Sequence, residues 1–166
     1  SQNEQDSRFY ARAAHLPMLE VSDSQECKDM VKAAFELSEK YDTPVLLRVM
    51  TRIAHARSLV ELLDRQEAEL RPYEKNPGKY VMMPGNAKRR HVVVEARENQ
   101  IREDCNTLPL NRVEMAGSKL GVICSGSAYQ YVKEALPEAS VLKLGMVYPL
   151  PRKLIEEFAA SVDELV

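Results

Sequence analysis

Four consecutive polar side chains near the start of the chain, Asn3, Glu4, Gln5 and Asp6, have the chemistry of a ligand-binding loop. They belong to the opening stretch SQNEQDSRFY, whose first six residues include no apolar side chain. Amides and carboxylates in that stretch could hydrogen-bond a heterocycle or a polar substrate. The same composition is typical of a solvated tail. The residues by themselves leave both interpretations open.

A cationic cluster in RVMTRIAHARS is the second candidate, and its members are Arg48, Arg52, His55 and Arg57. The cluster follows a predicted strand, VLLRV, and ligands of open α/β sheets dock beyond the carboxyl ends of the strands. Guanidinium groups at that place could bind a carboxylate or a phosphate. The alternative is a set of salt bridges on a segment that leaves the sheet.

A strand-to-helix turn, SGS at 125–127, follows the predicted strand GVIC and could hold an anion on its exposed N–H groups. The turn lacks the glycine spacings of nucleotide-binding loops, so a glycine that permits the bend is the favoured interpretation. Cys124 precedes the turn, with no histidine near it in sequence. A cysteine in that setting is more often a small buried hydrophobe than a nucleophile.

The composition limits the classes of function. The chain has 166 residues, 45% apolar and 29% charged, which is enough for a buried core in one domain or two small ones. A net charge of −2 gives no electrostatic argument for nucleic acid, and no apolar run approaches the roughly 20 residues that cross a membrane. Cys27, Cys105 and Cys124 form no CxxC pair, which disfavours disulfides, zinc or an iron–sulfur cluster built from this chain alone. The predicted setting is a reducing cytosol.

The first predicted unit, 23–49, is a helix followed by a strand. Ser22 and Gln25 have capping-box spacing, so we expect the helix to begin between Ser22 and Ser24. Apolar side chains at helical period define its buried face: Cys27, Met30, Val31, Ala34, Leu37 and Tyr41. Pro44 ends the helix, and VLLRV predicts a strand covered on both faces.

The end of the chain repeats this pattern. KLGVICSG and SVLKLGMV predict strands, and SAYQYVKEAL and PRKLIEEFAASV predict helices, the last with Pro151 in its first turn. This order predicts a parallel sheet with a right-handed crossover. Between the two units, 64–83 is polar and rich in proline, which indicates an irregular connection.

One helix is predicted inside the connection, in NAKRRHVVVEARENQIREDCN with Asn86 as its N-cap. HVVVEA alone could instead form a strand. The basic run KRRH is typical of a solvated surface, or of a surface that meets an acidic partner.

The number of strands predicts a piece of a longer polypeptide. One buried strand before residue 60, with one helix, cannot make a stable sheet. The first unit must therefore lean on the second unit or on residues outside this sequence. A further strand is also expected where the sequence stops, at DELV.

Three stretches together resemble one known family: 1–58, KYVMMPGNAKRRHVVVEAR and GVICSGSAYQYVKEALPEASVLKLGMVYPLP, in this order. The chain resembles the thiamine-dependent 2-oxoacid:ferredoxin oxidoreductases, and within that family the alpha subunits of indolepyruvate ferredoxin oxidoreductases. The resemblance implies an α/β fold built from parts of two Rossmann-like parallel-sheet domains. Residues 1–62 would be the C-terminal half of the pyrimidine-binding domain, 63–115 a connector with one helix, and 116–166 the start of a transketolase C-terminal-like domain.

The resemblance also implies a function: oxidative decarboxylation of arylpyruvates such as indolepyruvate to the acyl-coenzyme A, with ferredoxin as electron acceptor and a beta subunit as partner. Thiamine pyrophosphate, magnesium and 4Fe–4S clusters are implied for the full-length enzyme, and none is expected to bind this chain alone. Asn3, Glu4, Gln5 and Asp6 would face the thiamine cofactor, and the catalytic and metal-binding residues would lie outside this sequence. The alternatives are a non-catalytic α/β interaction module and another thiamine-dependent 2-oxoacid enzyme.

Overall fold

A computed structural model describes residues 5–65, 67, 70 and 72–166, in which helices and strands alternate along most of the chain. The helices are α1 (Arg8–Ala14), α2 (Ser24–Tyr41), α3 (Thr51–His55), α4 (Pro77–Tyr80), α5 (Pro84–Asp104), α6 (Ala128–Ala135) and α7 (Arg152–Ala160). The strands are β1 (Met18–Glu20), β2 (Leu46–Arg48), β3 (Arg112–Glu114), β4 (Leu120–Ser125), β5 (Ser140–Leu144), β6 (Met146–Tyr148) and β7 (Glu164–Leu165). No helix among the described residues is long and apolar enough to cross a membrane.

The strands form two sheets that share one stretch of backbone. Within the described residues, the first sheet has the order β2–β1–β6 and the second has the order β3–β5–β4–β7. A single residue, Gly145, separates β5 from β6, so the segment 140–148 serves both sheets. A side chain at Gly145 would meet the carbonyl oxygen of Leu110 at 2.0 Å. Glycine is therefore needed where the strand passes from one sheet to the other.

The shared segment sets the directions of its neighbours. β4 runs parallel to β5 and ends with Ser125 opposite Leu144. β1 runs antiparallel to β6, and the N–H of its last residue, Glu20, donates to the carbonyl of Gly145 at 2.9 Å. β2 is parallel to β1, which places Arg48 beside Glu20. The carboxyl ends of β1, β2 and β4 therefore meet near Gly145. β1 and β2 run toward it from one side, and β4 runs toward it from the other side.

The first sheet contains more strands than the sequence predicts before residue 60. Both β1 and β2 lie there among the described residues, so the expectation of one strand was wrong. β1 is three residues long, too short for a period-2 pattern to identify it. β2 is a half-buried edge strand rather than one covered on both faces. The third strand, β6, comes from the far end of the chain, so the first unit leans on the second as expected.

The N-terminus of α2 is capped by Asp23, with Glu26 three residues later, one residue on from the predicted Ser22–Gln25 pair. The side chain of Asp23 accepts from the N–H of Glu26 at 2.8 Å. The Glu26 carboxylate in turn accepts from the N–H and the hydroxyl of Ser22, both at 2.8 Å. Asp23 thus satisfies one N–H of the first turn, and Glu26 holds the preceding Ser22 against the helix, which begins at Ser24 as expected.

The helix in the connection is confirmed, but its start differs from the prediction. α5 begins at Pro84, and Asn86 lies inside it, donating to the carbonyl of Val81 at 2.9 Å. Proline is favoured at the first helical position because its missing N–H would have no partner there. Pro151, expected in the first turn of α7, occupies the N-cap position instead. The HVVVEA stretch is helical throughout.

The core consists of two apolar clusters, and each takes residues from both ends of the chain. The first lies between α2, α5 and the first sheet: Leu19, Val21, Met30, Leu37, Tyr41, Ile53, Ile101, Cys105 and Met146. The second packs α1 and α7 against strands of both sheets: Ala11, Met18, Leu142, Leu144, Val147 and Phe158. Of the predicted face of α2, Val31 is exposed and the other positions are buried or packed against the first cluster.

Lys143 is a buried cation in β5, with 1% of its side chain exposed. Its ammonium group donates to the Glu26 carboxylate at the start of α2, which joins the second sheet to the helix of the first unit. Burial by itself would raise the pKa of Glu26, but hydrogen bonds from Lys143 and Ser22 lower it. Glu26 therefore stays charged at neutral pH and keeps Lys143 paired.

Replacing Lys143 with methionine should lower the free energy of unfolding by about 3 kcal/mol, because Glu26 would lose the cation that offsets its burial. Urea unfolding followed by circular dichroism measures this loss. The control is Lys153→Met, which removes an ion pair to Glu103 whose two side chains are exposed, and it should leave the midpoint unchanged. Equal effects of the two variants would contradict the structural role of Lys143.

Acid should weaken a second charged cluster at Glu114. This carboxylate accepts hydrogen bonds from Arg112, Tyr129 and Lys133 at 2.6, 2.8 and 2.9 Å. Although burial opposes the change, these bonds lower the pKa of Glu114 from 4.5 to about 2. A lowered folded-state pKa contributes stability above the unfolded-state pKa, and this contribution is lost as the pH falls from about 4.5 to about 2.

Glu114→Gln should therefore cost about 1–2 kcal/mol at pH 6, reduced from the full linkage value because solvent reaches the carboxylate. The cost should shrink through the window below pH 4.5 and vanish near pH 2, as measured by urea unfolding across that range. The exposed Glu156→Gln, on α7, is the matched control and should leave the stability at pH 6 unchanged. A pH-independent cost for Glu114→Gln would refute the assignment.

Candidate functional site

A cavity of about 400 Å³ lies where the carboxyl ends of β1, β2 and β4 meet. Each strand contributes its last residue to the lining, and the start of α6 closes one side. The lining residues are Arg8, Glu20, Arg48, Met50, Ile123, Cys124, Ser125, Ser127, Ala128 and Tyr131. Ligands of α/β proteins bind beyond the carboxyl ends of strands, so this cavity is the candidate functional site.

A buried carboxylate, Glu20, organises the floor of the site and is 2% exposed. Its Oε1 accepts from the guanidinium of Arg48 at 2.5 Å, and its Oε2 accepts from the hydroxyl of Ser125 at 3.2 Å. Arg48 belongs to the same sheet as Glu20, whereas Ser125 belongs to the other sheet. The carboxylate therefore connects the two sheets at the point where a ligand would enter.

Of the opening polar stretch, Asp6 reaches this cavity through the lining residue Arg8, whereas Gln5 does not line it. Asp6 forms a bidentate pair with Arg8, at 2.8 and 2.9 Å from its Nε and Nη2. The hydrogen bond from Arg8 lowers the pKa of Asp6 to about 2, and Arg48 contributes in the same direction. Gln5 accepts from the hydroxyl of Tyr10 at 3.2 Å. Asn3 and Glu4 lie outside the described residues.

The predicted cationic cluster is divided by the structure. Arg48 forms an ion pair with Glu20, so for this residue the salt-bridge interpretation holds and not the ligand-binding one. Arg52 lies on α3 with its guanidinium 5.8 Å from the centre of the Tyr131 ring, and no carboxylate of the described residues forms an ion pair with it. Cavities of about 690 and 270 Å³ flank α3 on either side of Arg52. His55, at the end of α3, and Arg57, just beyond it, are exposed as well, so three members of the predicted cluster remain available to a ligand.

The SGS turn confirms the interpretation of a bend that requires glycine. Gly126 has a φ of 55°, a region that residues with a side chain rarely adopt. A side chain there would also come within 2.6 Å of Oε1 of Glu20. Because this carboxylate lies against the turn, the electrostatics disfavour an anion on its N–H groups. Burial raises the pKa of Cys124, which keeps it a thiol and not a nucleophile.

A second polar centre, around Glu98 of α5, was not predicted. Glu98 accepts from Tyr148 at 2.5 Å, from Arg102 at 2.6 Å and from the ring of His15. Burial, then the bond to Glu98, raises the pKa of Tyr148 to about 12. The spacing of Glu98 and Arg102 was visible as an i,i+4 pair, but His15 and Tyr148 lie 83 and 50 residues away from Glu98. A cavity of about 670 Å³ adjoins this centre, beside Arg12 and Phe9.

Fold and site together define the class: an α/β protein in which polar side chains line a cavity at the carboxyl ends of strands, the place where α/β proteins bind ligands. Residues 1–110 match the family described as pyruvate flavodoxin/ferredoxin oxidoreductase, thiamine diphosphate-binding. The chain belongs to this family. The resemblance inferred from the sequence is thereby confirmed at the level of the family.

Curated relatives extend the match to the whole chain. The indolepyruvate oxidoreductase subunit IorA of Methanothermobacter thermautotrophicus is 43% identical over all of this chain. The subunits of the same name from Pyrococcus horikoshii and Archaeoglobus fulgidus are 40% and 37% identical, also over all of this chain. The chain spans 28% of the length of each of these relatives.

A solved structure supports the fold. The 2-oxoglutarate:ferredoxin oxidoreductase from Magnetococcus marinus, with 2-oxoglutarate, coenzyme A and succinyl-CoA bound, superposes with a TM-score of 0.62. The match covers 98% of this chain and 37% of that one, at 17% identity. The α/β architecture predicted from the sequence is therefore confirmed; both sheets contain the predicted parallel pairs, and each also has one antiparallel pair, β1–β6 and β3–β5.

Gly126→Ala should destabilise the protein by about 2–4 kcal/mol, because it combines a left-handed backbone with a steric clash against Glu20. Thermal and urea unfolding measure the loss. The matched control is Gly85→Ala in α5, where an added methyl group meets nothing within 4 Å, and it should be neutral or stabilising by about 0.5–1 kcal/mol. If Gly126→Ala left the free energy of unfolding unchanged, the predicted steric clash between the turn and Glu20 would be wrong.

Proposed function

We propose that this chain is part of the alpha subunit of a thiamine diphosphate-dependent enzyme that oxidatively decarboxylates arylpyruvates, with indolepyruvate as the typical substrate. The product would be the acyl-coenzyme A, and ferredoxin would take the electrons. A beta subunit would complete the enzyme, and the setting would be the cytoplasm. The observation that carries the proposal is the 37–43% identity of the whole chain to subunits named for indolepyruvate oxidation, together with the thiamine diphosphate-binding family match.

The proposal assigns the chain to parts of two domains. Residues 1–62 would be the C-terminal half of the pyrimidine-binding domain, 63–115 a connector, and 116–166 the start of a transketolase C-terminal-like domain. The contacts of Glu20 with Arg48 and Ser125 support a site between these parts, because they hold the ends of β1, β2 and β4 at one place. The shared segment 140–148 shows that the parts are joined by sheet hydrogen bonds as well as by the connector.

The site fits one end of the cofactor. Met50 and Ile123 give the cavity apolar walls, while Ser125, Ser127 and the rim near Asp6 offer donors and acceptors, which is the lining that a heterocycle such as the aminopyrimidine ring requires. The described residues hold no group of three or more His, Cys, Asp or Glu side chains suited to a metal ion. As the resemblance implies, magnesium, the diphosphate and the 4Fe–4S clusters would be held by residues outside this sequence.

When bound, thiamine diphosphate would supply a carbon nucleophile and an electron sink for the decarboxylation of a 2-oxoacid. The roles of this chain would be binding and orientation. Gln5 and Asp6, with Asn3 and Glu4, would face the cofactor, and the Asp6–Arg8 pair would hold this loop over the cavity. The low pKa of Asp6 keeps it ionised at neutral pH, so it would act as a fixed acceptor and not as a proton donor.

The proposal is tested with the full-length alpha subunit that contains this chain, assembled with its partner subunit. Indolepyruvate should reduce a viologen dye in a reaction that requires both thiamine diphosphate and coenzyme A. Replacing Gln5 with alanine should raise the half-saturating thiamine diphosphate concentration by about tenfold, the effect of one lost hydrogen bond to a bound ligand.

The matched control is Gln100→Ala, an exposed amide on α5 that should leave that concentration unchanged. Absence of dye reduction with any of a range of 2-oxoacids would refute the proposed activity. If the enzyme is active but Gln5→Ala leaves the half-saturating thiamine diphosphate concentration unchanged, the proposed activity stands. The assignment of the opening stretch to the cofactor site is then wrong.

A further inference from the structure

A side pocket of about 270 Å³ adjoins the candidate site, and Ser127 and Tyr131 line both cavities. Pockets for drug-sized ligands have volumes from about 300 Å³ upward. The side pocket lies just below that range, so its size suits one small ring system. Because the two cavities share a wall, a ligand in the candidate site can extend a side chain into the side pocket.

The walls of the side pocket come from three separate parts of the chain. The start of α2 contributes Ser24, α3 contributes Ile53 and Ala56, and α6 contributes Tyr131 and Glu134. The side pocket is therefore enclosed on several sides by this chain itself.

Two contacts hold these walls in place. Asp23, the N-cap of α2, accepts from the side-chain amide of Gln130 on α6 at 3.2 Å. The guanidinium of Arg52 on α3 lies 5.8 Å from the centre of the Tyr131 ring, which is within cation–π range. These contacts join α2 to α6 and α3 to α6. A pocket that is fixed before its ligand arrives loses less free energy to ordering when the ligand binds.

The lining combines apolar and aromatic surface with a charged acceptor. Ile53, which is 7% exposed, Ala56 and the ring of Tyr131 supply the apolar part. The Glu134 carboxylate forms no ion pair with the described residues, so its oxygens are free to accept a hydrogen bond. An aromatic ring with an N–H donor, such as indole, matches both parts of this lining.

We propose that the side pocket binds the aryl side chain of the 2-oxoacid substrate, with the ring against Tyr131 and a ring N–H donating to Glu134. This inference rests on the proposed function, which brings an arylpyruvate to the adjoining candidate site. A site that hydrogen-bonds one group of a substrate discriminates against the analogue without that group. Glu134 therefore favours indolepyruvate over an arylpyruvate whose ring has no N–H.

The cavity of about 690 Å³ on the other side of α3 does not offer this lining. It includes Arg52 and His55 but no carboxylate, so a ring N–H finds no charged acceptor there. Thr51 lines that cavity and not the side pocket, which makes it a suitable control position on the same helix.

The assembled full-length enzyme tests the inference with two substrates, indolepyruvate and phenylpyruvate, whose ring is smaller and has no N–H. The readout is the ratio of kcat/KM for indolepyruvate to kcat/KM for phenylpyruvate. Glu134→Ala should lower this ratio by about tenfold, because only indolepyruvate loses a hydrogen bond to a charged acceptor. Ser24→Leu should lower it by at least about tenfold, because the larger side chain excludes the larger ring first.

Each variant has a matched control. Glu138→Ala removes an exposed carboxylate outside the side pocket, and Thr51→Leu enlarges an exposed side chain on the other side of α3. Both controls should leave the ratio unchanged, and circular dichroism would verify that all four variants fold. An active enzyme whose ratio is unchanged by Glu134→Ala and by Ser24→Leu would overturn the side pocket while the proposed activity stands.

Calorimetric titration with indole-3-lactate, the 2-hydroxy analogue of indolepyruvate, gives a second readout that does not depend on turnover. The wild-type enzyme should bind this probe with a Kd below about 1 mM, and Glu134→Ala and Ser24→Leu should each raise the Kd by about tenfold. A wild-type enzyme that does not bind the probe, or equal affinities in wild type and both variants, would overturn the side pocket. An enzyme that binds the probe in the expected pattern but oxidises no 2-oxoacid would support the side pocket and refute the proposed activity.

Discussion

The segment 140–148 is the constraint on which the architecture depends. It is hydrogen-bonded to β4 along its first half and to β1 along its second, and most of its side chains are buried. Because one continuous backbone serves both sheets, the sheets cannot be positioned independently of each other. The glycine at its centre admits the carbonyl of Leu110, and the side-chain oxygen of Asn111 accepts from the N–H groups of Gly145 and Met146 at 3.0 and 3.1 Å.

The candidate site is a direct consequence of this arrangement. β4 follows the direction of β5, and β1 opposes the direction of β6, so their carboxyl ends converge on Gly145. Glu20 and Ser125 are 105 residues apart in the chain and come into contact for this reason. The buried carboxylate needs its partners, since an unpaired charge at that depth would be costly. The floor of the cavity is thereby fixed, while the loop at its rim, with Asp6 and Arg8, is exposed.

Charged groups, rather than apolar packing alone, join the two halves of the chain. Glu26 binds Lys143 across 117 residues, and Glu98 binds His15 across 83. Each pair links elements from different parts of the sequence and lies at the edge of an apolar cluster. Pairs of this kind add little net stability compared with apolar side chains, but they penalise any arrangement that separates the partners. They therefore favour one relative placement of the sheets.

The sequence by itself determined the local elements and the family. Apolar residues at helical period identified α2, the buried runs identified β4 and the combined β5–β6 segment, and the quoted stretches together carried the resemblance. These signals are local, because they arise from the spacing of side chains along one element. β1 is visible only as the short strand-like piece LPML, because three residues carry no period, and the cap of α2 falls on Asp23 and Glu26, whose spacing equals that of the predicted Ser22–Gln25 pair.

Only the tertiary structure decided which charges meet. Nothing in the spacing of Arg48, Arg52, His55 and Arg57 distinguishes the arginine that pairs with Glu20 from the others, one of which lies beside Tyr131. The same holds for the Glu98 centre, whose donors come from three elements. Contacts of this kind depend on the directions in which strands run, and those directions follow from hydrogen bonds between segments far apart in the chain.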